Sequence, residues 1–309
     1  MSTSAQALAL SRLHVSRWLR DYSELTKLRV TSLIVVTAWC GYYFGAQKIG
    51  LPPISWRLFH VLFGIALVAS GTAALNEVME HEIDGRMRRT WQRPIPAGRM
   101  SLLHAFLAGE LLATGGSIYL ALFCNPLTGC LAFLTSVVYL VGYTPLKRVS
   151  PVCTLVGAFP GAMPGVLGWT AACGRFDWGT LVFFTILFLW QFPHFFSIAW
   201  LYREDYARGQ IRMLPVVDQD GRSTARRIVL YSALLVPVST LPSLLGMTGR
   251  VYFGGALLLG LALLYFGMRL ITLRAPLAHA ASKFRARQLL QATVVYLPLL
   301  FALMILNAK

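Results

Sequence analysis

Nine runs of roughly twenty mainly apolar residues can be drawn along this 309-residue chain, at 30–48, 57–77, 104–123, 125–144, 152–172, 178–201, 228–247, 251–271 and 288–307. About 20 such residues are what an α-helix needs to cross a bilayer, where each backbone polar group must be satisfied inside its own element. Hydrophobic residues make up 56% of the chain and charged ones 13%, and the second figure is about half that of a soluble domain. The expected fold is all-α, a polytopic membrane protein of nine transmembrane helices. Residues 1–29 form a cytoplasmic N-terminal segment and residues 30–307 a single domain. Glycine and proline inside the runs, as in "GAFPGAMPGVLGW", are tolerated where neighbouring helices satisfy the freed backbone groups.

Basic residues set the orientation. All but five of the 28 lysines and arginines fall in the N-terminal segment or in every second loop, the exceptions being Lys48, Arg57, Arg175, Arg250 and Lys309. The positive-inside rule then places the N-terminus in the cytoplasm and the C-terminus outside. The net charge of +16 reads as topology and anion contact. No nucleic-acid partner is expected, because the basic residues lie between apolar runs rather than over one surface. Residues 1–29 hold no apolar core, so no cleavable secretory signal is expected, and Asp21 and Glu24 argue against an Arg-rich organellar presequence. A bacterial inner membrane is favoured over a mitochondrial one. The five cysteines form no CxxC pair and read as buried thiols.

Eight of the 12 acidic residues lie in two segments on the cytoplasmic side, at 77–84 and 204–220. Each follows the second run of a four-run unit, which suggests two related halves, 30–144 and 152–271, with a ninth helix added. In "NEVMEHEID", positions four apart drift by about 40° around a helix and rise about 6 Å, so Asn76, Glu80 and Asp84 line one stripe. Hard oxygen ligands at that spacing suit Mg²⁺ bridged to phosphate oxygens. Glu77 and Glu82 are expected to point elsewhere. The arginines of "RMRRTWQRP" would match a diphosphate bidentately, with Pro94 and Pro96 marking a loop. A solvated loop obeying the positive-inside rule explains those arginines adequately. It does not explain carboxylates running back into an apolar run, where they are costly. In "YREDYARGQIRMLP", Glu204 and Asp205 are ligand candidates, and a solvated loop is an even rival there.

Four stretches together resemble the UbiA-type intramembrane prenyltransferases, in the branch that farnesylates haem. They are "NEVMEHEIDGRMRRTWQRPIPAGR", "YTPLKRVSPVCTLVGAFPGAMPGVLGW", "WQFPHFFSIAWLYREDYARGQIRMLPVV" and "LTKLRVTSLIVVTAWCGY". The resemblance implies a UbiA-type bundle that transfers a farnesyl group from farnesyl diphosphate to a vinyl group of protohaem IX, with water supplying a hydroxyl. Haem is then a substrate, and Mg²⁺ the cofactor. It implies Asn76, Glu80 and Asp84 as catalytic Mg²⁺-diphosphate ligands, and Lys27, Arg29, Arg89, Arg93, Lys147 and Arg148 as the basic positions near the diphosphate. Glu204 and Asp205 match the second acidic motif and His194 a histidine of the haem branch. A haem A synthase or a terminal-oxidase assembly is a further partner that it allows, beside the lipid bilayer. Glu80 stands where the pattern usually has Asp, Leu28 where Pro is common, and Cys153 where Asn is frequent.

Read without the resemblance, His194 in "FLWQFPHFFSIAW" is a histidine satisfied by a neighbouring helix; with it, a haem contact is favoured. Glu110, isolated in the third run, is left outside the site. Another aromatic or tetrapyrrole acceptor is the alternative enzyme reading, opposed by "YTPLKR" and "WQFPHF". A transporter, suited by two halves and interrupted helices, would carry its charges near the midplane rather than at one face.

Overall fold

The computed structural model describes residues 17–273 and 277–309. The first part of the N-terminal segment, with Arg12 and His14, and Arg274 lie outside them. Among the described residues no strand forms, and nine long helices follow one another. They are α1 (Leu28–Lys48), α2 (Trp56–Arg86), α3 (Leu102–Phe123), α4 (Pro126–Leu146), α5 (Cys153–Cys173), α6 (Trp178–Leu201), α7 (Arg222–Leu244), α8 (Arg250–Ile271) and α9 (Ala280–Leu306). Seven of them are long and apolar enough to cross a membrane; α1 and α5 are not among the seven. Large apolar side chains such as Leu111, Leu122 and Leu258 stand exposed on the outer faces, where a lipid chain rather than water suits them.

Polar caps begin several helices on the side opposite the acidic segments. Ser55 accepts from the Leu58 N–H, Asn125 from the Thr128 N–H, and Asp177 with Thr180 forms a reciprocal capping box. Each satisfies donors that a helix start leaves orphaned.

Helices α1 to α4 pack in sequence, as do α5 to α8, and α9 lies against α6 and α8. The two series meet where α1 crosses α5. There the backbones touch: a Cβ on Gly41 would lie 2.0 Å from the Gly165 carbonyl oxygen, and one on Gly168 would lie 1.9 Å from that of Ala38. Small residues permit this approach, the usual currency of helix association in lipid.

Helix α2 runs past the apolar run to Arg86, as the stripe of Asn76, Glu80 and Asp84 required, and Glu80 and Asp84 turn inward onto cations. One element differs from the sequence expectation. Helix α4 widens into a π-helical turn over Val138–Tyr143 before Thr144–Leu146.

Candidate active site

The acidic end of α2 carries the site. Asn76, Glu77, Glu80 and Asp84 are all buried, and Glu82 is exposed. Glu77 therefore corrects the expectation that it points away. It lies three residues before Glu80 and seven before Asp84, a spacing that returns to the same helix face, and this was the signal available in the sequence. Neither Glu77 carboxylate oxygen has a hydrogen-bond partner, although Arg93, Lys27 and Asp84 are the charges acting on it.

Three other segments deliver cations to this stripe. Lys27, at the start of α1, donates to Asn76 Oδ1 at 2.8 Å, and Asn76 in turn donates to Thr144 Oγ1 at 3.1 Å. Lys147, just past α4, donates to both oxygens of Glu80, at 2.8 and 3.0 Å, and lies 4.4 Å over the Tyr143 ring. Arg93 pairs with Asp84 from the loop after α2. Burial, with Arg93 and Lys147 close by, pushes the Lys27 ammonium down to about 8.

The second acidic motif divides. Asp205 is buried and accepts from the backbone N–H groups of Arg88 and Arg89, at 2.8 and 3.2 Å, and from Arg208 at 3.0 Å. It thus locks the loop after α2 to the segment after α6. Arg89 lies 4.6 Å from the Tyr206 ring, and the Arg212 N–H donates to the Lys147 carbonyl at 2.7 Å, so the three basic loops converge at one end of the bundle. Glu204 does not join them. It is exposed, pairs with Lys283 at 3.0 Å, and borders a separate cavity of about 260 Å³; the Lys283 ammonium holds its carboxyl below the usual range. Arg29 and Arg148 are exposed, and among the described residues neither makes an ion pair or hydrogen bond through its side chain. Glu110, also exposed, accepts from the Thr114 hydroxyl.

His194, half-buried on α6, lies 2.9 Å through Nδ1 from Thr293 Oγ1 of α9 and stacks on Trp190. A neighbouring helix does hold it, as the reading from the residues alone expected.

Among the described residues no three His, Cys, Asp or Glu side chains form a ready metal cage. What the site offers is a row of buried oxygen donors, of which Asn76, Glu80 and Asp84 are each matched by a cation and Glu77 is not, an inventory of the kind that suits a metal-bridged polyanion.

The fold and this charge arrangement define a helical membrane bundle with a charged, buried row at one end. The UbiA prenyltransferase family model matches residues 34–304, and the chain belongs to that family, an integral membrane prenyltransferase. A protein of Koribacter versatilis named protoheme IX farnesyltransferase is 58% identical over 307 residues, covering 99% of each chain. Among solved structures, that of a digeranylgeranylglyceryl phosphate synthase shares the fold with a TM-score of 0.76 at 17% identity, covering 94% of this chain and 98% of that one. A UbiA homologue from Archaeoglobus fulgidus bound to GPP and Mg²⁺ gives a TM-score of 0.63 at 14% identity, over 92% and 99% of the two chains.

Proposed function

We propose that this chain transfers the farnesyl group of farnesyl diphosphate to a vinyl group of protohaem IX, with water supplying the hydroxyl, and releases haem O and diphosphate for haem A/O biosynthesis. Full-length identity to a protein named for protohaem farnesylation carries the reading. The buried charge row at the end of α2 supports it.

Asn76, Glu80 and Asp84 would hold Mg²⁺ through oxygen, and Glu77, with both oxygens unpartnered, stands beside them. The donor set fits a hard cation. When bound, Mg²⁺ supplies Lewis-acid stabilisation of charge on the departing diphosphate. Lys147, Arg93 and Lys27 now occupy those same oxygens. With substrate bound, the carboxylates would be the groups that hold the ion, and the ammonium and guanidinium groups would bind phosphate oxygens. No buried charge is then left alone, which is the costly alternative. Arg89, fixed by Asp205 and Tyr206, would stand at the entrance, with Arg29 and Arg148 contributing field rather than contact. The apolar bundle would keep bulk water from the allyl cation. His194 would contact the haem.

The proposal extends to nine spans, an N-terminus in the cytoplasm of a bacterial cell and a C-terminus outside. It includes two pseudo-repeated halves, 30–144 and 152–271, which the parallel packing order of α1–α4 and α5–α8 supports.

The test is conversion of haem B to haem O by purified protein with farnesyl diphosphate. Chelation of Mg²⁺ should abolish turnover, and Asp84→Asn or Glu80→Gln should lower it on the order of 100-fold, the effect of removing one electrostatic stabiliser. Unchanged turnover in both variants would remove the stripe from the mechanism. A preferred acceptor other than haem in competition would replace the acceptor assignment alone.

A further inference from the structure

Trp190, His194 and Thr293 form a polar station in the otherwise apolar contact between α6 and α9. Thr293 is fully buried. Its hydroxyl donates to the Leu290 carbonyl at 2.6 Å, and the same oxygen lies 2.9 Å from His194 Nδ1. A hydroxyl has one hydrogen. With that hydrogen on Leu290, Thr293 Oγ1 can only accept from the ring, so Nδ1 carries the imidazole proton and Nε2 the lone pair. The ring plane is held from a second direction: the Trp190 indole stacks on it with centroids 4.7 Å apart and planes 18° from parallel. Trp190 is itself anchored, its Nε1 donating to the Thr293 carbonyl at 2.9 Å. One residue of α9 thus fixes both the proton on His194 and the aromatic plate beside it. Among the described residues Nε2 makes no hydrogen bond, so its lone pair is left available.

Imidazole ligands are oriented in this way in metal sites, where the far nitrogen donates to a fixed acceptor and the near one meets the metal. We infer that Thr293 is a positioning residue that selects the Nδ1–H tautomer of His194 and so presents Nε2 to the iron of the porphyrin substrate. The inference rests on the haem reading of His194 given above. It goes beyond that reading by assigning the coordinating atom and the residue that sets it.

Two measurements on the full-length protein in lipid nanodiscs test it. The first uses ¹⁵N-histidine NMR without haem, with the His194 signals assigned by their loss in His194→Ala. Wild type and Thr293→Ser should show the Nδ1–H form, and Thr293→Val, of matched shape but without the hydroxyl, should shift toward Nε2–H. An Nε2–H wild type, or a tautomer unmoved in Thr293→Val, overturns the inference. The second is haem titration followed by absorption. Thr293→Val should bind haem roughly ten- to hundred-fold more weakly, the usual effect of losing a partner behind a metal ligand, and Thr293→Ser should restore binding. His194→Ala should lose the imidazole-ligated spectrum. If it does not, the haem reading and the ligand role both fall. If it does while Thr293→Val binds as wild type, only the positioning role falls. Retention of the wild-type thermal transition in Thr293→Val separates these effects from misfolding.

Discussion

Lys147 and Glu80 show how charge is kept inside an apolar bundle. Lys147 is 9% exposed and Glu80 7%, and the ammonium bonds both carboxylate oxygens. Removing one member of such a pair leaves a buried charge alone, at a cost of about 3–5 kcal/mol, whereas removing both is far milder. Lys147→Met should therefore lower unfolding stability by that order, and Lys147→Met with Glu80→Gln should recover most of it; thermal unfolding in detergent measures this, and additive losses would refute the coupling. Asp205 is a different case. It binds two backbone N–H groups of the loop after α2, so Asp205→Asn should loosen Arg89 and Arg93 and raise KM for farnesyl diphosphate more than it lowers kcat. At this scale the sequence named Asn76, Glu80, Asp84, Lys27 and Lys147 as site residues, but not who meets whom. Lys27 reaches Asn76 across 49 positions and Lys147 reaches Glu80 across 67, and no local period encodes such a pairing. Glu77 was misplaced because the four-residue stripe was read without its three- and seven-residue neighbours.

Helices α1 and α5 owe their contact to missing side chains. Gly168→Ala would drive a Cβ to within 1.9 Å of the Ala38 carbonyl oxygen, and rigid backbone cannot yield as a side chain would. The variant should lose on the order of 1–3 kcal/mol, as overpacked cores do, with lower yield of folded protein. Gly115→Ala in α3 meets nothing within 4 Å, and its effect should stay within about 1 kcal/mol. Equal losses in the two variants, read by thermal unfolding, would show that close approach is not what Gly168 provides. Element positions were legible in the sequence because a twenty-residue apolar run has few alternatives in lipid. The end of α2 was legible too: the hydropathy window stops at the first carboxylate, but the stripe of Asn76, Glu80 and Asp84 already needed helix as far as 84. The π-helical turn in α4, which sets the approach of Tyr143 and Lys147 to the site, has no counterpart in apolar periodicity.

For the whole molecule, the alternating loop charges carry the orientation. A reporter that is active only outside the cytoplasm should be active when fused after Lys309 and inactive when fused after Arg212; the reverse pattern would invert the proposed topology. The sequence alone determined that the chain is a helical membrane bundle and which end of it collects the charge, because length, hydropathy and loop charge act locally and add along the chain. Tertiary structure decided the rest: which cation sits on which carboxylate, that Asp205 joins the site and Glu204 does not, and that Thr293 of α9 meets His194. Those outcomes depend on groups far apart in the chain meeting at hydrogen-bond distance, and only the packing of the helices sets that distance.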